Sequence, residues 1–555
     1  FVNFSSVNFY QYMANKSTRS LSGRKGLENN LFENISKLAV ADANGNEFQK
    51  LSRQYLIDDS VVYGTASFYD FTREGERNKK IRICDGTACM VAGTQDRVRK
   101  WAEGGFSKDE IGHVACLGHC HSNSAILFND RTYSPGSEEE WNQIVQNGSN
   151  KNRNVLTYEV DCNTEPVLTA TVSDPISFFK QSEWVRNDRK RVIQDLKDSG
   201  LRGRGGAGFP FWFKLDAVAK ENNDQKYVVC NADEGDPGAF SDMYLLEHQP
   251  YKVLYGMYAS GICIGANRGV LYIRGEYPNS IRAIEEAISL LDENGLLEDF
   301  AFKVIRGQGS YICGEETALL SSIEGLRPEV RVRPPYPAQY GLFGKPTLLS
   351  NVETFANLHW ILENGGKQYA SLGTERSTGT KLVSFDGFFN RPGMFELEMG
   401  TSLREAIFDI GKGFKSEIKA LQIGGPLGGI VPIEKIDELS LDFESFDSAG
   451  FLLGHASFVS IPKSFPMIRY LEHLLKFTAD ESCGKCYPCR FGSHRGYEMV
   501  KKSQQEDFKI DRQLFDDLIE TLEIGSLCAL GGGIPLPLKN ALNYFQGELK
   551  EYFES

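Results

Sequence analysis

The sequence holds no apolar run long enough to cross a bilayer. Its most apolar stretch, VLYGMYASGICIGA at residues 253–266, falls short of the roughly 18 residues a spanning helix needs. Positive charge is not in excess either. The 61 Lys and Arg against 74 Asp and Glu leave a formal charge of −13, which excludes a general affinity for nucleic acid or an anionic membrane, since both demand clustered cations. Any anionic ligand must be held locally. No low-complexity tract suggests a large disordered region. The first twenty residues lack the charged start and apolar core of a secretory signal, so nothing marks export. Cysteine is scarce: twelve in 555 residues are too few for a disulfide scaffold, and most of them fall into two groups, as ligands would. A soluble protein in a reducing cytoplasm is expected.

What is present is ordinary globular material, 41% hydrophobic and 24% charged, in a chain too long for one core, so roughly three to five domains are expected. Residues 1–75 carry scattered apolar periodicity, as in LENNLFENISKLAV, and read as a small helical bundle. Residues 76–145 open on a β-branched strand, KIRIC, then a helix over TQDRVRKWA and a second short segment, HVACLGHC, a compact α/β domain. The polar stretch after it, to about residue 170, reads as a linker. Residues 171–370 alternate strand candidates (KYVVC, GVLYIRG, FAFKVIRG) with helices, the pattern of a largely parallel sheet. Within NSIRAIEEAISLLDENG, Ile281, Ile284, Ile288 and Leu291 share one helix face, with Ser280 the expected N-cap and Gly295 the stop. Residues 371–455 are Gly-rich with short strands, and residues 456–555 turn helical again.

The first cysteine group is C-x4-C (Cys84, Cys89) followed by C-x3-C (Cys116, Cys120). Four thiolates can hold a zinc ion or an iron–sulfur cluster. Zinc favours short C-x2-C knuckles, whereas CDGTAC makes a wider loop that can wrap a flat two-iron rhomb. The second group, Cys483, Cys486 and Cys489 with a remote Cys528, has the stronger signature. Three thiolates at C-x2-C-x2-C spacing reach three corners of a cubane, and a residue from elsewhere closes the fourth. Spacing thus favours clusters at both sites, with structural zinc the competing reading. Cys162, Cys230, Cys263 and Cys313 are scattered singly and read as small buried hydrophobes.

LRGRGGAGFP at residues 201–210 packs four glycines into six positions. A backbone so free of Cβ atoms can approach a phosphate or flat ring closely, N–H groups first, and Arg202, Arg204 and Lys214 add positive charge nearby. An RGG-type RNA-binding segment is the rival, but such segments repeat, and this one occurs once between apolar elements. The spacing is not that of the G-x-G-x-x-G dinucleotide fingerprint. Two further loops, CNADEGDPGAF and GQGSYICGEET, combine small residues with carboxylates. Either could be an ordinary acidic loop. Beside a phosphate cradle, their carboxylates suit ribose hydroxyls, a ring N–H or a carboxamide, which points to a flavin and nicotinamide site feeding one-electron carriers.

RGRGGAGFP, CNADEGDPG, YIRGEY, SYICGEETAL, PPYPAQYGLFGKPT, NVET and ESCGKCYPCRFGS together resemble the flavin-bearing NADH-oxidising subunit of respiratory complex I and its soluble relatives. VYGTASFYDF and the first cysteine group resemble the thioredoxin-like [2Fe–2S] subunit that accompanies it, here fused into one polypeptide. Such fusions occur in NAD-dependent Mo/W formate dehydrogenases and NAD-reducing hydrogenases. The tail GSLCALGGGIPLPLKNALNYF is most similar to the formate dehydrogenase β subunit.

The resemblance implies a multidomain α/β protein. Its parts would be an N-terminal helical bundle, a thioredoxin-like [2Fe–2S] domain, a Rossmann-like FMN/NADH domain, a β-grasp module and a helical [4Fe–4S] domain. FMN would be held by Gly203, Arg204, Gly205, Gly206 and Lys214, with Asn231 and Asp233 at the isoalloxazine edge and Gly314, Ser350 and Asn351 lining the flavin or its phosphate. NAD(H) would use Phe209 and Tyr336 for stacking on adenine and Glu315 and Glu316 around the ribose, with Glu234, Asp236 and Tyr311 nearby. Cys84, Cys89, Cys116 and Cys120 would hold [2Fe–2S], and Cys483, Cys486, Cys489 and Cys528 would hold [4Fe–4S]. No protein group acts as nucleophile or base; the reacting atom is flavin N5. The implied partner is a catalytic subunit on another chain, a formate dehydrogenase α subunit or a hydrogenase module, with neither nucleic acid nor a membrane span. The chain departs from the family at Phe211-Trp212-Phe213, where a Trp stands for a usual Gly, at Asp236 for Glu and at Tyr336 for Phe. Contacts near Trp212 are therefore expected to differ. The reading from another class is a zinc-stabilised scaffold without electron transfer.

Overall fold

The computed structural model describes residues 26–41, 45–147, 156–505 and 507–554. Helices Leu31–Val40, Gly45–Gln54 and Asp59–Ala66 form the first unit; the expectation for residues 1–25 lies outside the described residues. Asn30 caps the first helix by accepting from Glu33 N, and Leu31, Phe32, Ile35 and Ala39 make its buried stripe. The unit is bonded to a distant part of the chain: Asn30 Nδ2 donates to Ile323 O at 2.8 Å.

Strands β1 (Ile81–Cys84), β2 (Ile111–Val114), β3 (Ile126–Phe128) and β4 (Arg131–Tyr133) form a sheet in the order β2-β1-β3-β4. Helices Thr94–Glu103 and Glu138–Asn147 cover it, burying Val98, Ala102, Trp141 and Ile144 with Ile81 and Ile83. The second helix lies in the stretch whose polarity suggested the approach to a linker. Its glutamates face solvent while Trp141 and Ile144 pack inward.

The stretch from 156 to 170 is anchored rather than loose. It contributes β5 (Glu159–Cys162), and the buried Glu396 carboxylate accepts from the amides of Val167, Leu168 and Thr169 at 2.8–3.0 Å. Lys252 Nζ donates to the carbonyls of Val167 and Leu168. A sequence read as linker is thus held by its backbone, which is bonded to two buried charges.

Strands β6 (Tyr227–Ala232), β7 (Arg268–Ile273), β8 (Ala301–Arg306) and β9 (Thr347–Asn351) form a wholly parallel sheet in the order β8-β7-β6-β9. The chain moves outward from β6 through β7 to β8, then returns to β6's other side. The crevice beyond the strand ends at such a reversal is where α/β sheets bind ligands. Helix Pro250–Ile264 is the most apolar stretch of the sequence, and it is buried against this sheet. Among the described residues no helix is long and apolar enough to cross a membrane. Helix Pro278–Glu293 buries Ile281, Ile284 and Leu291 as expected, but it starts after Tyr277, and Ser280 instead donates to Glu247 Oε1 at 2.9 Å. Pro278 at the first turn already fixes the helix start.

Strands β10 (Thr380–Phe385), β11 (Gly393–Glu398), β12 (Ile418–Ile423), β13 (Gly429–Pro432) and β14 (Ser457–Pro462) join β5 in a six-stranded sheet, ordered β13-β12-β14-β10-β11-β5. β14 lies past the boundary expected at 455, yet it is a central strand, buried on both faces. The C-terminal helices Met467–Asp480, Ser493–Gln505, Arg512–Gly525 and Pro535–Tyr544 pack around Leu471, Leu475, Phe515, Ile519 and Leu538.

Gly256 shows how tightly the site's scaffold is set. A Cβ there would stand 2.0 Å from Phe355 O, on helix Val352–Ala356, which begins directly after Asn351. In an open helix Gly→Ala stabilises by about 1 kcal/mol; here overpacking costing about 1–3 kcal/mol reverses the sign. Gly256→Ala is expected to lower the thermal unfolding midpoint and weaken flavin retention, whereas Gly64→Ala, with open space at its Cβ, is expected to leave both unchanged or raise the midpoint.

Candidate functional site

All four parallel strands deliver site residues at their carboxyl ends. Asn231 on β6 and Asn351 on β9 are register partners across the reversal. The glycine loop closes over them: Gly203 N donates to Phe209 O at 2.8 Å and Phe211 N to Leu201 O at 3.0 Å, so residues 203–209 bulge as one cradle. Gly205 lies so close that a Cβ would stand 2.9 Å from Asn351 Cβ, and Gly206 takes φ +111°, a conformation that disfavours any side chain.

The loop's charges are disposed differently from the expectation. Arg202 turns away and pairs with Glu444 at 2.6 Å. Arg204 is buried, its Nη2 donating to Tyr369 OH at 3.1 Å and Thr378 O at 2.6 Å, with Nε and Nη1 left without partners. Lys214 faces Glu316 at 3.3 Å, and Glu316 also takes Arg333 at 2.7 Å. Trp212 lies in helix Phe211–Lys220 and turns towards Lys197, whose Nζ is 5.4 Å from its ring centre. It does not crowd the cradle, and Phe209 stays exposed on the other side, as does Tyr336 on a neighbouring element.

The acidic loops divide into used and unused oxygens. Asn231 Nδ2 donates to Gly314 O at 2.8 Å, bonding the end of β6 to the loop after β8. Asn351 is fully occupied, accepting from Glu353 N and donating to Asp242 Oδ2 at 2.7 Å. Ser350 is buried beside it. Glu315 caps helix Glu316–Ile323 through Thr317 N and Ala318 N. Glu234 caps helix Ser241–His248: its oxygens accept from Ser241 Oγ, Asp242 N, Met243 N and Tyr277 OH. Asp233 is the contrast. Burial pushes its carboxyl well above the usual range, and its Oδ2 is buried without a partner. A buried acceptor without a partner, lying 3.9 Å from where a Cβ on Gly314 would stand, fits a flat ring bearing an N–H. Asp236 accepts from Tyr311 OH at 2.5 Å and pairs with His455 at 2.6 Å.

The first cysteine group sits on the back of the same loop. Hydrogen bonding to Cys116 and Cys89 pushes the Cys84 thiol well up, and bonding to Cys120 and Cys84 pulls that of Cys116 well down, so the four thiols face one another. Cys116 and Cys120 lie 3.9 Å apart. Backbone amides of Gly86, Gly118 and Gly238 donate to the sulfurs of Cys84, Cys116 and Cys120 at 3.2–3.4 Å, the kind of bond that steadies cluster thiolates. Arg274, at the end of β7, donates to Cys116 O at 2.7 Å and pairs with Glu276 at 2.9 Å.

The second group shares one apolar cluster with Ile312 and Ala318 of the loop after β8: Cys483 and Cys489 are buried in it, and Cys486 and Cys528 pack against it. Burial pushes the Cys489 thiol up to about 11 and that of Cys528 to about 12, values at which only a bound metal would ionise them near neutral pH. Tyr311 N donates to Glu481 Oε2 at 2.8 Å and Arg327 to Cys483 O at 3.2 Å. Among the described residues no three or more His, Cys, Asp or Glu side chains converge where a single metal ion would sit. Between the two cysteine groups, Asp70, Asp233, Glu276 and Glu481 line a 10 Å³ cavity with Arg274, room for about one water.

From cradle to sulfur knot the contacts are continuous: Gly205 on Asn351, Asn351 beside Asn231, Asn231 bonded to Gly314, and Ile312 packed with Cys483. The sequence does not single out His455, Arg274 or Glu481. Glu481 adjoins the cysteine triplet, a signal that could flag it; His455 belongs to no motif.

Comparison with known proteins gives these sites a family. Residues 44–149 match the thioredoxin-like [2Fe–2S] ferredoxin family, residues 196–360 the Nuo51 FMN-binding domain and residues 469–552 the NADH-ubiquinone oxidoreductase-F iron–sulfur binding region. The NADP-reducing hydrogenase subunit HndC of Solidesulfovibrio fructosivorans is 41% identical over 65% of this chain and 76% of its own. An NADH-quinone oxidoreductase of Rhizobium meliloti (strain 1021) has a subunit 37% identical over 70% of this chain and 98% of its own length. The crystal structure of an NAD+-reducing [NiFe]-hydrogenase in the air-oxidized state superposes with a TM-score of 0.85 at 26% identity, covering 97% of this chain and 95% of that one. The chain belongs to the NADH-quinone oxidoreductase-F family, which includes the diaphorase subunits of NAD-reducing hydrogenases, and it carries FMN-binding, [4Fe–4S] and thioredoxin-like [2Fe–2S] domains in one polypeptide.

Proposed function

We propose that this diaphorase chain is the β subunit of a cytoplasmic NAD-dependent formate dehydrogenase, exchanging electrons between NAD(H) and a partner chain that oxidises formate. The diaphorase part rests on one observation above all: the cubane-type thiols and the loop that meets the glycine cradle share a single apolar cluster. The formate part rests on the residues around Cys528, GSLCALGGGIPLPLKNALNYF.

Bound FMN supplies the conversion between a two-electron hydride and single electrons. The chain's residues bind and orient. The amides and bare backbone of residues 203–206 admit the phosphate end, with the unpartnered nitrogens of Arg204 and with Lys214 as the available cations. Asp233 Oδ2 takes a ring N–H. Phe209 and Tyr336 offer exposed faces to adenine, and the Lys214–Glu316–Arg333 chain aligns Glu316 towards a ribose. Asp236, held by Tyr311 and His455, fixes the nicotinamide side. Cys483, Cys486, Cys489 and Cys528 hold the cluster that passes electrons onward, and Cys84, Cys89, Cys116 and Cys120 hold a second cluster behind the loop after β6. A hydrogenase partner or a complex I relative is the second reading, carried by the solved structure that covers nearly the whole chain.

The isolated chain, loaded with FMN and iron, is expected to reduce an artificial one-electron dye with NADH; a loaded sample that bleaches no dye rejects the diaphorase reading. Cys528→Ala is expected to abolish the electron paramagnetic resonance of the four-iron cluster, keep that of the two-iron cluster, and cut transfer to the partner chain beyond the roughly 100-fold typical of outer-shell changes. For the complex purified without oxygen, formate rather than H2 is expected to drive NAD+ reduction; H2-driven reduction assigns the hydrogenase reading instead.

A further inference from the structure

The turn before β14 carries a side chain into the site from the six-stranded module. Gly454 (φ +54°) and Ala456 (φ +59°) are both left-handed, a region in which an Ala is strained, and His455 between them is directed inward, its side chain only 15% exposed. The turn is wedged in place. A Cβ on Gly454 would stand 2.4 Å from Gly424 O, and the nearest atom to a Cβ on Gly206 of the cradle is Gly454 Cα, at 3.8 Å. The module therefore touches the glycine cradle with the same turn that presents His455.

His455 Nδ1 meets Asp236 Oδ2 at 2.6 Å, while Asp236 Oδ1 accepts from Tyr311 OH at 2.5 Å. Behind them Gly425 approaches so closely that a Cβ would be 2.7 Å from Asp236 Cγ. The carboxylate is thus fixed on three sides by two domains. The groups facing the imidazole are Asp236 and Glu234 from the loop after β6 and Asp242 from helix Ser241–His248. Burial pulls its pKa down, and these three carboxylates outweigh burial to leave it raised to about 9. At neutral pH the ring is a cation in an otherwise acidic wall.

We propose that His455 is a cationic positioning residue for the nicotinamide nucleotide: it holds Asp236 in the orientation that the nucleotide meets, which makes the six-stranded module part of the NAD(H) site rather than a spacer. The inference deepens the diaphorase reading and rests on it. A histidine whose folded pKa is raised contributes its ion pair fully below the unfolded value of about 6.5 and loses it as pH rises through about 9, so nucleotide affinity should be level near neutrality and weaken above about 9.

The test uses the full chain loaded with FMN and iron, with NAD+ affinity measured by calorimetry and NADH KM and kcat by dye reduction from pH 7 to pH 10. In the wild type both affinity measures are expected to weaken above pH 9. His455→Ala is expected to weaken them about tenfold at pH 7, with kcat changed less than about threefold and no further break near pH 9. His455→Lys, which keeps a cation, is expected to restore affinity at pH 7 and move the break upward. The inference is overturned if His455→Ala binds NAD+ as tightly as the wild type, if its break near pH 9 persists, or if the wild type itself shows none. The last measurement stands even if a variant fails to fold. Wild-type chain that reduces no dye removes the diaphorase reading, whereas active wild type with an indifferent His455→Ala removes only this inference.

Discussion

Everything in the molecule is organised by the fact that one short loop, residues 233–240 after β6, is bonded on both of its faces. In front, a Cβ on Gly314 would stand 3.2 Å from Asp233 O, and Asn231 at the end of β6 donates to Gly314 O. Behind, Gly238 N donates to Cys120 Sγ at 3.2 Å, and Arg274 spans from Glu234 O to Cys116 O. A loop with free backbone groups on either side would have to hydrate them, and no water-filled gap could then be this thin. Both faces of the loop are thus bonded to protein, to Gly314 through Asn231 on one side and to the first cysteine group on the other.

The cost of this arrangement is electrostatic. Asp233, Glu234, Asp236, Asp242, Glu353 and Glu396 are all buried, and isolated buried charges are among the most unfavourable features a fold can carry. Two of the six meet cations sent from the six-stranded module, and the neighbouring buried Glu276 meets Arg274 at the end of β7. Lys381 of β10 forms a fully buried pair with Glu353, Arg274 pairs with Glu276, and His455 pairs with Asp236. Two of these three cations come from the six-stranded module. The parallel sheet alone would therefore hold an uncompensated acidic floor, and the module is needed for charge as much as for shape.

Much of this is legible in the sequence, and particular residues explain where legibility stops. Thiol spacing is local, so Cys483, Cys486 and Cys489 announce a cubane. The remote Cys528 is legible only because a corner is missing. Periodicity finds helix Pro278–Glu293 because its buried stripe is regular, but it points to the wrong cap, since Pro278 can start a helix without a side-chain cap. β14 is cut from its sheet because a helical pattern begins only a few residues after it. β5 is hidden by polar residues whose pairing partner, β11, lies more than 230 positions on. Glu234 and Asp236 look alike in the string DEGD; only the fold assigns one to a helix end and pairs the other with Tyr311 and His455. His455 has no sequence signature, since its importance comes entirely from the carboxylates that surround it in space.

The strand β5 has a further meaning for a chain that carries its [2Fe–2S], FMN-binding and [4Fe–4S] domains in one polypeptide. In the chain it follows helix Glu138–Asn147 of the four-stranded unit, and it lies at the edge of the six-stranded sheet beside β11, with Glu396 clasping the residues beyond it. Separation of the small unit from the loop after β6 is therefore not a dissociation into bulk solvent. Because both parts belong to one chain, the small unit returns at an effective local concentration of order millimolar or more, so dilution, which dismantles two-chain assemblies, leaves this junction untouched.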